Sequence, residues 1–193
     1  VAAEELPGGF ATVYPILKAM EESGRARRGY FTAGLGATQF ALPGAEDRLR
    51  DARNPDPAGP LTVLLAATDP ANPYGAALPW PEVADARFER AAHARVLLRD
   101  GHLLAYLSRS GKHLITNLPE SEPERGESIA ALVDALQQFL TISNQPTLLI
   151  EQIDGRPALT SPLTHTLETA GFFIGHDGLL LRRAGLRLYL KRR

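Results

Sequence analysis

Apolar side chains near the start of the chain recur every three or four residues, at Phe10, Val13, Leu17 and Met20. This spacing predicts an amphipathic helix over residues 10–23, ended by Gly24. Residues 29–32 and 39–42 are rich in β-forming side chains and are separated by glycines, so they predict a hairpin. The charged stretch 46–53 predicts a short helix.

Residues 54–60 are the clearest linker in the chain. The stretch Asn-Pro-Asp-Pro-Ala-Gly-Pro holds three prolines and a glycine in seven residues, which disfavours regular structure. We therefore expect a partial module over residues 1–55, a proline-rich linker over 56–60 and a second module over 61–193.

The second module has the pattern of an antiparallel sheet. Residues 61–67 predict a strand, and the β-like runs 94–98, 102–108 and 113–117 are separated by Asp-Gly and Ser-Gly turns, which predicts a meander. Further elements are predicted as a helix around 129–140, a strand over 147–153, a helix over 162–170 capped by Ser161, a hairpin over 172–183 and a last strand over 186–190. The predicted fold class is α+β, with a mostly antiparallel, barrel-like sheet and two principal helices.

Composition narrows the functional classes. The chain has 193 residues, 21 Lys and Arg against 22 Asp and Glu, and no cysteine, so bulk charge does not indicate a strongly basic nucleic-acid binder. Disulfides and thiolate metal sites are excluded, and a reducing cytoplasm is the expected location. Apolar runs of about half a dozen residues are far short of the roughly 20 that a membrane span needs. The absence of an initiator Met predicts a fragment of a longer polypeptide or a chain whose first residues were removed or not observed.

The first segment has the layout of a recognition helix and wing in a winged helix-turn-helix. Arg25, Arg27 and Arg28 stand where the wing begins and are suited to contact phosphates, and Tyr30 is suited to stack on a base. The alternative is a solvated face on a protein-binding winged helix, with Tyr30 packed under the wing.

Two long stretches carry a family resemblance. Residues 9–31, continuing through 34–44, and residues 65–81 resemble the C-terminal region of the bacterial large helicase-related (Lhr) proteins, and a looser similarity extends through 156–162 to 181–183. The family implies a superfamily-2 ATP-dependent helicase that translocates on single-stranded DNA, with accessory winged helices and a β-barrel module behind the motor.

The resemblance implies an accessory role in DNA repair rather than a motor. The expected partners are single-stranded or forked DNA, an RNA:DNA hybrid as a further option, the motor domains of the same polypeptide and a second copy of the chain. No phosphate-loop motif occurs, and Arg109-Ser-Gly-Lys112 has His113 where a hydroxyl residue belongs, so it predicts a hairpin turn. No cofactor is expected in this fragment; ATP and Mg²⁺ would be bound by the parent motor.

A looser resemblance to winged-helix DNA glycosylases of the AlkZ type adds a catalytic hypothesis. Such an enzyme needs a carboxylate near the anomeric carbon of a flipped nucleotide. Asp69 is a weak candidate and Asp154 a weaker one, and Trp80, the one tryptophan, is a candidate stacking residue. The alternatives are turn residues for both aspartates and a core position for Trp80.

The remaining polar clusters are less specific. The five histidines show no ligand spacing, so no metal site is expected, and Ser161 with His165 fits helix capping better than a catalytic dyad. Arg182 and Arg183 open a basic C-terminal cluster that either contacts phosphates or aids solubility; its other members are Arg187, Lys191, Arg192 and Arg193. A structural or oligomerisation module without nucleic-acid binding remains the third hypothesis.

Overall fold

The computed structural model of the chain describes residues 7–34, 38–54, 59–83 and 87–183. The chain divides into two compact units, one formed by Val1–Pro60 with Pro73–Pro79 and the other by Leu61–Asn72 with Trp80–Arg193. The boundary expected at residues 56–60 stays a prediction, because residues 55–58 lie outside the described part.

The first unit contains a helix, a two-stranded wing and a second helix. Its elements are α1 (Gly9–Glu22), β1 (Arg27–Gly29), β2 (Gln39–Ala41) and α2 (Ala45–Asp51). The strands are antiparallel, with Arg28 opposite Phe40. The predicted helices and hairpin are present, but β1 lies earlier than the expected strand over 29–32. The side-chain oxygen of Gln39 accepts the backbone N–H groups of Phe31 and Thr32, which therefore do not join the ladder.

Aromatic side chains connect α1 to the wing. The ring centroids of Phe10 and Tyr14 are 5.8 Å apart, and those of Tyr14 and Phe40 are 6.1 Å apart. Among the described residues of this unit only Ala26 is fully buried. The helical face predicted from the sequence is therefore only partly covered within the described residues.

The second unit contains a six-stranded sheet in the order β3-β4-β5-β6-β8-β9. Its strands are β3 (Thr62–Ala66), β4 (Arg95–Arg99), β5 (His102–Leu107), β6 (His113–Thr116), β8 (Gln152–Ile153) and β9 (Arg156–Pro157). Neighbours are antiparallel except β6 and β8, which are parallel. The predicted meander is confirmed.

A long helix and a smaller sheet enclose the core. The helix α3 (Glu124–Ile142) packs against β3, β5 and the later strand β11 (Leu179–Arg182). Its side chains Leu132, Leu136 and Leu140 are at most 1% exposed. Spacing by four residues puts these leucines on one helical face, as burial requires. The second sheet has the order β10-β11-β7, formed by Phe172–Ile174, Leu179–Arg182 and Thr147–Ile150.

The single strand predicted over residues 147–153 was wrong. The chain leaves the three-stranded sheet after Ile150 and joins the six-stranded sheet at Gln152. At this crossing the N–H groups of Glu151 and Gln152 donate to the carbonyl of Lys112 at 2.8 and 3.1 Å. An apolar run predicts extended backbone but not the sheet that each half joins.

The last helix also differs from its prediction. A short 3-10 helix covers Ala158–Thr160. The helix α4 runs over Thr164–Thr169, so it begins two residues later and ends one residue earlier than predicted. Ser161 does not cap α4; its hydroxyl accepts the N–H of Leu163 at 3.2 Å in the preceding turn.

The described strands of the second unit form two open sheets, so the barrel-like closure predicted from the sequence is unconfirmed. The strand expected over residues 186–190 lies outside the described residues. In the described ranges no helix has the length and apolar character to cross a membrane.

Candidate nucleic-acid interface

The turn after α1 positions Arg25. The N–H groups of Arg25 and Ala26 both donate to the carbonyl of Met20, at 2.7 and 3.1 Å, and Gly24 has a φ of 71°, as a helix-ending glycine requires. Ala26 is 4% exposed and anchors the turn, whereas Arg25 is exposed. Arg25 has no ion-pair partner among the described residues. Its guanidinium is therefore available to a ligand.

Arg28 is held within the unit. Its Nε donates to the carboxylate of Glu21 at 3.0 Å, a second donor on Nη2 reaches the same oxygen, and the guanidinium carbon lies 5.7 Å from the centroid of the Phe40 ring. The hydrogen bond to Glu21 raises the pKa of Arg28 above its ordinary value. This arginine links the wing to α1, and the carboxylate of Glu21 compensates its charge.

Arg27 is also paired, although more weakly. Its Nη1 lies 3.3 Å from Oε2 of Glu46, and both side chains are largely exposed. An exposed pair of this kind contributes little stability and opens readily to another anion. Among the described residues, Arg25 therefore has no ion-pair partner, Arg27 is weakly paired and Arg28 is firmly paired.

Tyr30 projects into solvent from a fixed backbone. Its side chain is 84% exposed. The carbonyl of Thr32 accepts the amide of Gln39 at 2.8 Å, and a Cβ at Gly29 would stand 3.0 Å from the Phe31 ring, so the backbone on both sides of Tyr30 is tightly placed. A phenol ring displayed in this way fits stacking on a base better than packing under the wing.

A groove of about 610 Å³ lies between the wing and α2, and we call it the wing groove. Tyr30 and Arg28 line its wing side, and Arg50 and Arg53 line its α2 side. Arg50 is bonded to Asp47 at 2.8 Å, whereas Arg53 has no ion-pair partner among the described residues. In the sequence, Arg53 is marked only as a basic residue at the end of a short predicted helix, which does not predict a place in a groove.

Trp80 lies in an aromatic cluster of the second unit. Its ring is stacked on Phe88 with centroids 5.1 Å apart and an interplanar angle of 6°, and the edge of Tyr106 meets it at 5.9 Å. One face of the indole is therefore covered. Burial raises the pKa of the Tyr106 phenol, whose hydroxyl donates to the carbonyl of Glu89 at 3.2 Å.

Asp69 takes part in a local turn. Its Oδ1 accepts the N–H of Ala71 at 2.8 Å, which is the geometry of an Asx turn. Arg90 donates to the carbonyls of Asn72 and Asp69 at 2.9 and 3.3 Å and secures the same loop. These contacts suit a turn residue, while the second carboxylate oxygen of Asp69 has no described partner.

Asp154 connects two strands of the large sheet. Its Oδ1 accepts the N–H of Thr116 at 2.6 Å and its Oδ2 accepts the Thr116 hydroxyl at 2.9 Å. Asp154 has a φ of 50°, as a residue of a tight turn does. Both carboxylate oxygens are thus engaged in holding the β8–β9 turn against β6.

The two described arginines of the C-terminal cluster make local contacts. Arg182 lies over the ring of Phe173 at 5.0 Å from its centroid, and Arg183 donates to the side-chain oxygen of Asn144 at 2.8 Å. The other four basic residues of the cluster lie outside the described part. The described residues contain no group of three His, Asp or Glu side chains arranged to hold a metal.

Comparison with known proteins points to one family. The family model for the winged-helix domain of the large helicase-related protein matches residues 1–61. A Mycolicibacterium smegmatis protein named Lhr helicase/probable uracil glycosylase is 45% identical over 159 residues, which cover 80% of this chain and 10% of that protein. An Escherichia coli protein named Lhr helicase/uracil glycosylase is 37% identical over 184 residues, which cover 93% of this chain and 12% of that protein.

The chain spans about a tenth of the length of these curated relatives. The similarity nevertheless extends through both units, because 93% of the chain aligns with the Escherichia coli protein. The resemblance predicted from the sequence is confirmed: the winged-helix domain over residues 1–61 belongs to the large helicase-related, or Lhr, family, and the rest of the chain is similar to a segment of the same relatives.

Proposed function

We propose that the chain is a nucleic-acid-binding accessory region of an Lhr-type ATP-dependent DNA helicase that acts in DNA repair. The observation that carries this proposal is the wing groove, where Tyr30 is 84% exposed beside Arg28 and Arg53. ATP and Mg²⁺ would be bound by motor domains elsewhere in the parent protein, since this sequence has no phosphate-loop motif.

The mechanism is positioning of a strand rather than chemistry on it. A base stacks on Tyr30 while phosphates contact Arg25 and Arg53, and Arg28 keeps the wing in place through Glu21. Every base has a π-face, so stacking of this kind tolerates any sequence. Single-stranded or forked DNA, or one strand of an RNA:DNA hybrid, fits these contacts.

The charge balance limits the strength of this binding. Residues 1–59 hold eight acidic and seven basic side chains, so the winged helix has no general attraction for polyanions. Few phosphate contacts mean a shallow salt dependence and modest affinity. An accessory module with these properties guides a strand that the motor already holds.

Tyr30 gives the direct test of this function. We expect Tyr30→Ala to weaken binding of a fluorescein-labelled single-stranded oligonucleotide by roughly fivefold to 100-fold in fluorescence anisotropy, because stacking contributes about 1–3 kcal/mol per base. Tyr30→Trp should retain the affinity, and Ile16→Ala, at an exposed apolar residue of α1, is the matched control. Equal affinity of Tyr30→Ala and Ile16→Ala would refute the proposed role of the wing groove.

A second function is favoured by the names of both relatives, which include uracil glycosylase. Asp69 is the better placed carboxylate for it, because one of its oxygens has no described partner whereas both oxygens of Asp154 hold Thr116. We expect the chain to form abasic sites in a uracil-containing single strand, and Asp69→Asn to abolish this while the exposed Asp134→Asn control retains it. Absence of uracil release by the unaltered chain would remove this function from the 193 residues.

A further inference from the structure

The second unit contains a cleft of about 450 Å³ with a basic lining. It lies between the β5–β6 turn, the start of β4, the strand β7 and the C-terminal end of α3. We call it the basic cleft, after its lining residues His93, Arg95, Arg109 and Lys112. Among the described residues no carboxylate lines it. Three permanent cations therefore face one open concavity.

The turn that bears Arg109 and Lys112 is fixed in place. Gly111 has a φ of 73°, and a Cβ there would stand 3.3 Å from a methyl group of Leu148, so the turn lies directly against β7. The Ser108 and Ser110 hydroxyls are 3.0 Å apart and accept the N–H groups of His113 and Lys112. A fixed turn presents its side chains to a ligand at little entropic cost.

The cations of the basic cleft differ in how far they are already compensated. Arg109 is exposed and has no ion-pair partner among the described residues. Lys112 is bonded to Glu151 at 2.7 Å, a contact that raises the pKa of the lysine, and Arg95 lies over the Phe139 ring at 5.7 Å from its centroid. Arg109 therefore carries the uncompensated charge of the basic cleft, whereas Lys112 and Arg95 are already held by contacts within the protein.

We propose that the basic cleft binds the phosphodiester backbone of a single-stranded nucleic acid. Guanidinium, ammonium and serine hydroxyl groups are the side-chain donors that proteins direct at phosphate oxygens, and all three are present at this turn. The ring of Phe139 and the side chain of Leu149 supply an apolar wall for the sugar. The C-terminal end of α3 adds about half a negative charge, which the guanidinium groups of Arg95 and Arg109 outweigh even with the charge of Lys112 balanced by Glu151.

This site is separate from the wing groove, because it is built from residues of the second unit alone. The inference does not depend on the proposed role of the winged helix. A mononucleotide or inorganic phosphate shares the chemistry of a backbone phosphate, so the test must distinguish these ligands from a strand.

The experiment compares three charge reversals in the 193-residue chain. Arg109→Glu alters the basic cleft, Arg156→Glu alters an exposed arginine of β9 outside it, and Arg25→Glu alters the turn before the wing. Each changes the net charge equally, so a bulk electrostatic effect is the same for all. Binding of a fluorescein-labelled oligothymidylate is measured by anisotropy over a range of salt concentrations, with inorganic phosphate as the competitor.

We expect Arg109→Glu to weaken oligothymidylate binding about tenfold relative to Arg156→Glu and to reduce the salt slope by about one contact. Equal affinities of these two variants would overturn the inference, and so would full competition by inorganic phosphate at oligonucleotide-like concentrations, which would identify a small-anion site. Loss of binding in Arg25→Glu but not in Arg109→Glu would overturn the inference and leave the function of the wing intact. The reverse result would support the basic cleft and refute the phosphate contact proposed for Arg25.

Discussion

The guanidinium of Arg28 is bonded to the carboxylate of Glu21 and stands 5.7 Å from the centroid of the Phe40 ring. The contact joins the last turn of α1 to both strands of the wing, because Arg28 lies on β1 and Phe40 on β2. An arginine placed in this way orients the wing rather than the ligand. The charge available for a phosphate comes instead from Arg25 and Arg53.

Glu21 tests this assignment. Glu21→Gln should release the guanidinium of Arg28 toward a ligand and weaken the connection between wing and helix. We therefore expect higher oligonucleotide affinity together with a lower melting temperature, measured by anisotropy and by circular dichroism.

Glu22→Gln is the matched control for that change. It removes the same charge one residue later on α1, from a carboxylate whose distance to Lys18 is 3.8 Å. If Glu22→Gln raises the affinity as much as Glu21→Gln does, the gain is a bulk charge effect and Arg28 has no special pairing.

The fluorescence of Trp80 tests whether nucleic acid stacks on the aromatic cluster of the second unit. The chain has one tryptophan, and its ring is covered by Phe88 on one face and met by the edge of Tyr106. We expect its fluorescence to stay unchanged as an oligonucleotide saturates the protein. Quenching that follows the anisotropy curve would instead support Trp80 as a base-stacking residue.

Asp154 is expected to stabilise the fold through its hydrogen bonds to Thr116. Asp154→Ala leaves the N–H of Thr116 without its acceptor, and Thr116 is 9% exposed, so the unpaired group is poorly hydrated. We expect the free energy of unfolding, measured in urea, to fall by about 1–3 kcal/mol. Asp154→Asn keeps one acceptor oxygen and should lose less; the opposite order would contradict the proposed role of the carboxylate.

Tyr106 gives the protein a predictable alkaline sensitivity. Burial holds the pKa of its phenol above the ordinary value of 10.0, so the unfolded chain releases this proton first. The contribution of the Tyr106 phenol to the free energy of unfolding is therefore fully present below pH 10. It is lost as the pH rises through the raised pKa of this phenol in the folded state. Tyr106→Phe should flatten this part of the stability profile, as measured by urea unfolding at several alkaline pH values; an unchanged alkaline slope would assign the sensitivity to another group.

Much of the fold could be predicted because its signals are local. Apolar runs bounded by Asp-Gly and Ser-Gly turns predicted the meander, and leucines four residues apart predicted α3. The division of residues 147–153 between two sheets could not be predicted, because it depends on the Lys112 carbonyl, which is distant in sequence. The earlier position of β1, over Arg27–Gly29 instead of residues 29–32, has a similar origin, since the Gln39 side chain occupies the N–H groups of Phe31 and Thr32 that a longer strand would use.

The residue types of the candidate interface at the wing could be predicted from the sequence, but the ion pairs of its arginines could not. The sequence places Arg25, Arg27 and Arg28 together, but it does not show that Arg27 pairs with Glu46 on α2 and Arg28 with Glu21 on α1. These carboxylates become neighbours of the arginines only when the wing folds back. Arg53 could not be predicted either, because it lies beside Tyr30 in the wing groove only after the chain has folded. The basic cleft has no sequence signature, because its cations come from the start of β4 and from the β5–β6 turn.

The salt dependence of oligonucleotide binding tests the central claim most directly. Arg25→Ala combined with Arg53→Ala removes two cations of the first unit that have no ion-pair partner among the described residues, and Arg87→Ala combined with Arg156→Ala removes two exposed arginines of the second unit outside the basic cleft. Each phosphate contact on a single strand contributes about 0.7 to the slope of log affinity against log salt. We predict that the first pair lowers the slope by about 1.4 and the second pair leaves it unchanged; equal slopes for both pairs would contradict a nucleic-acid interface at the wing.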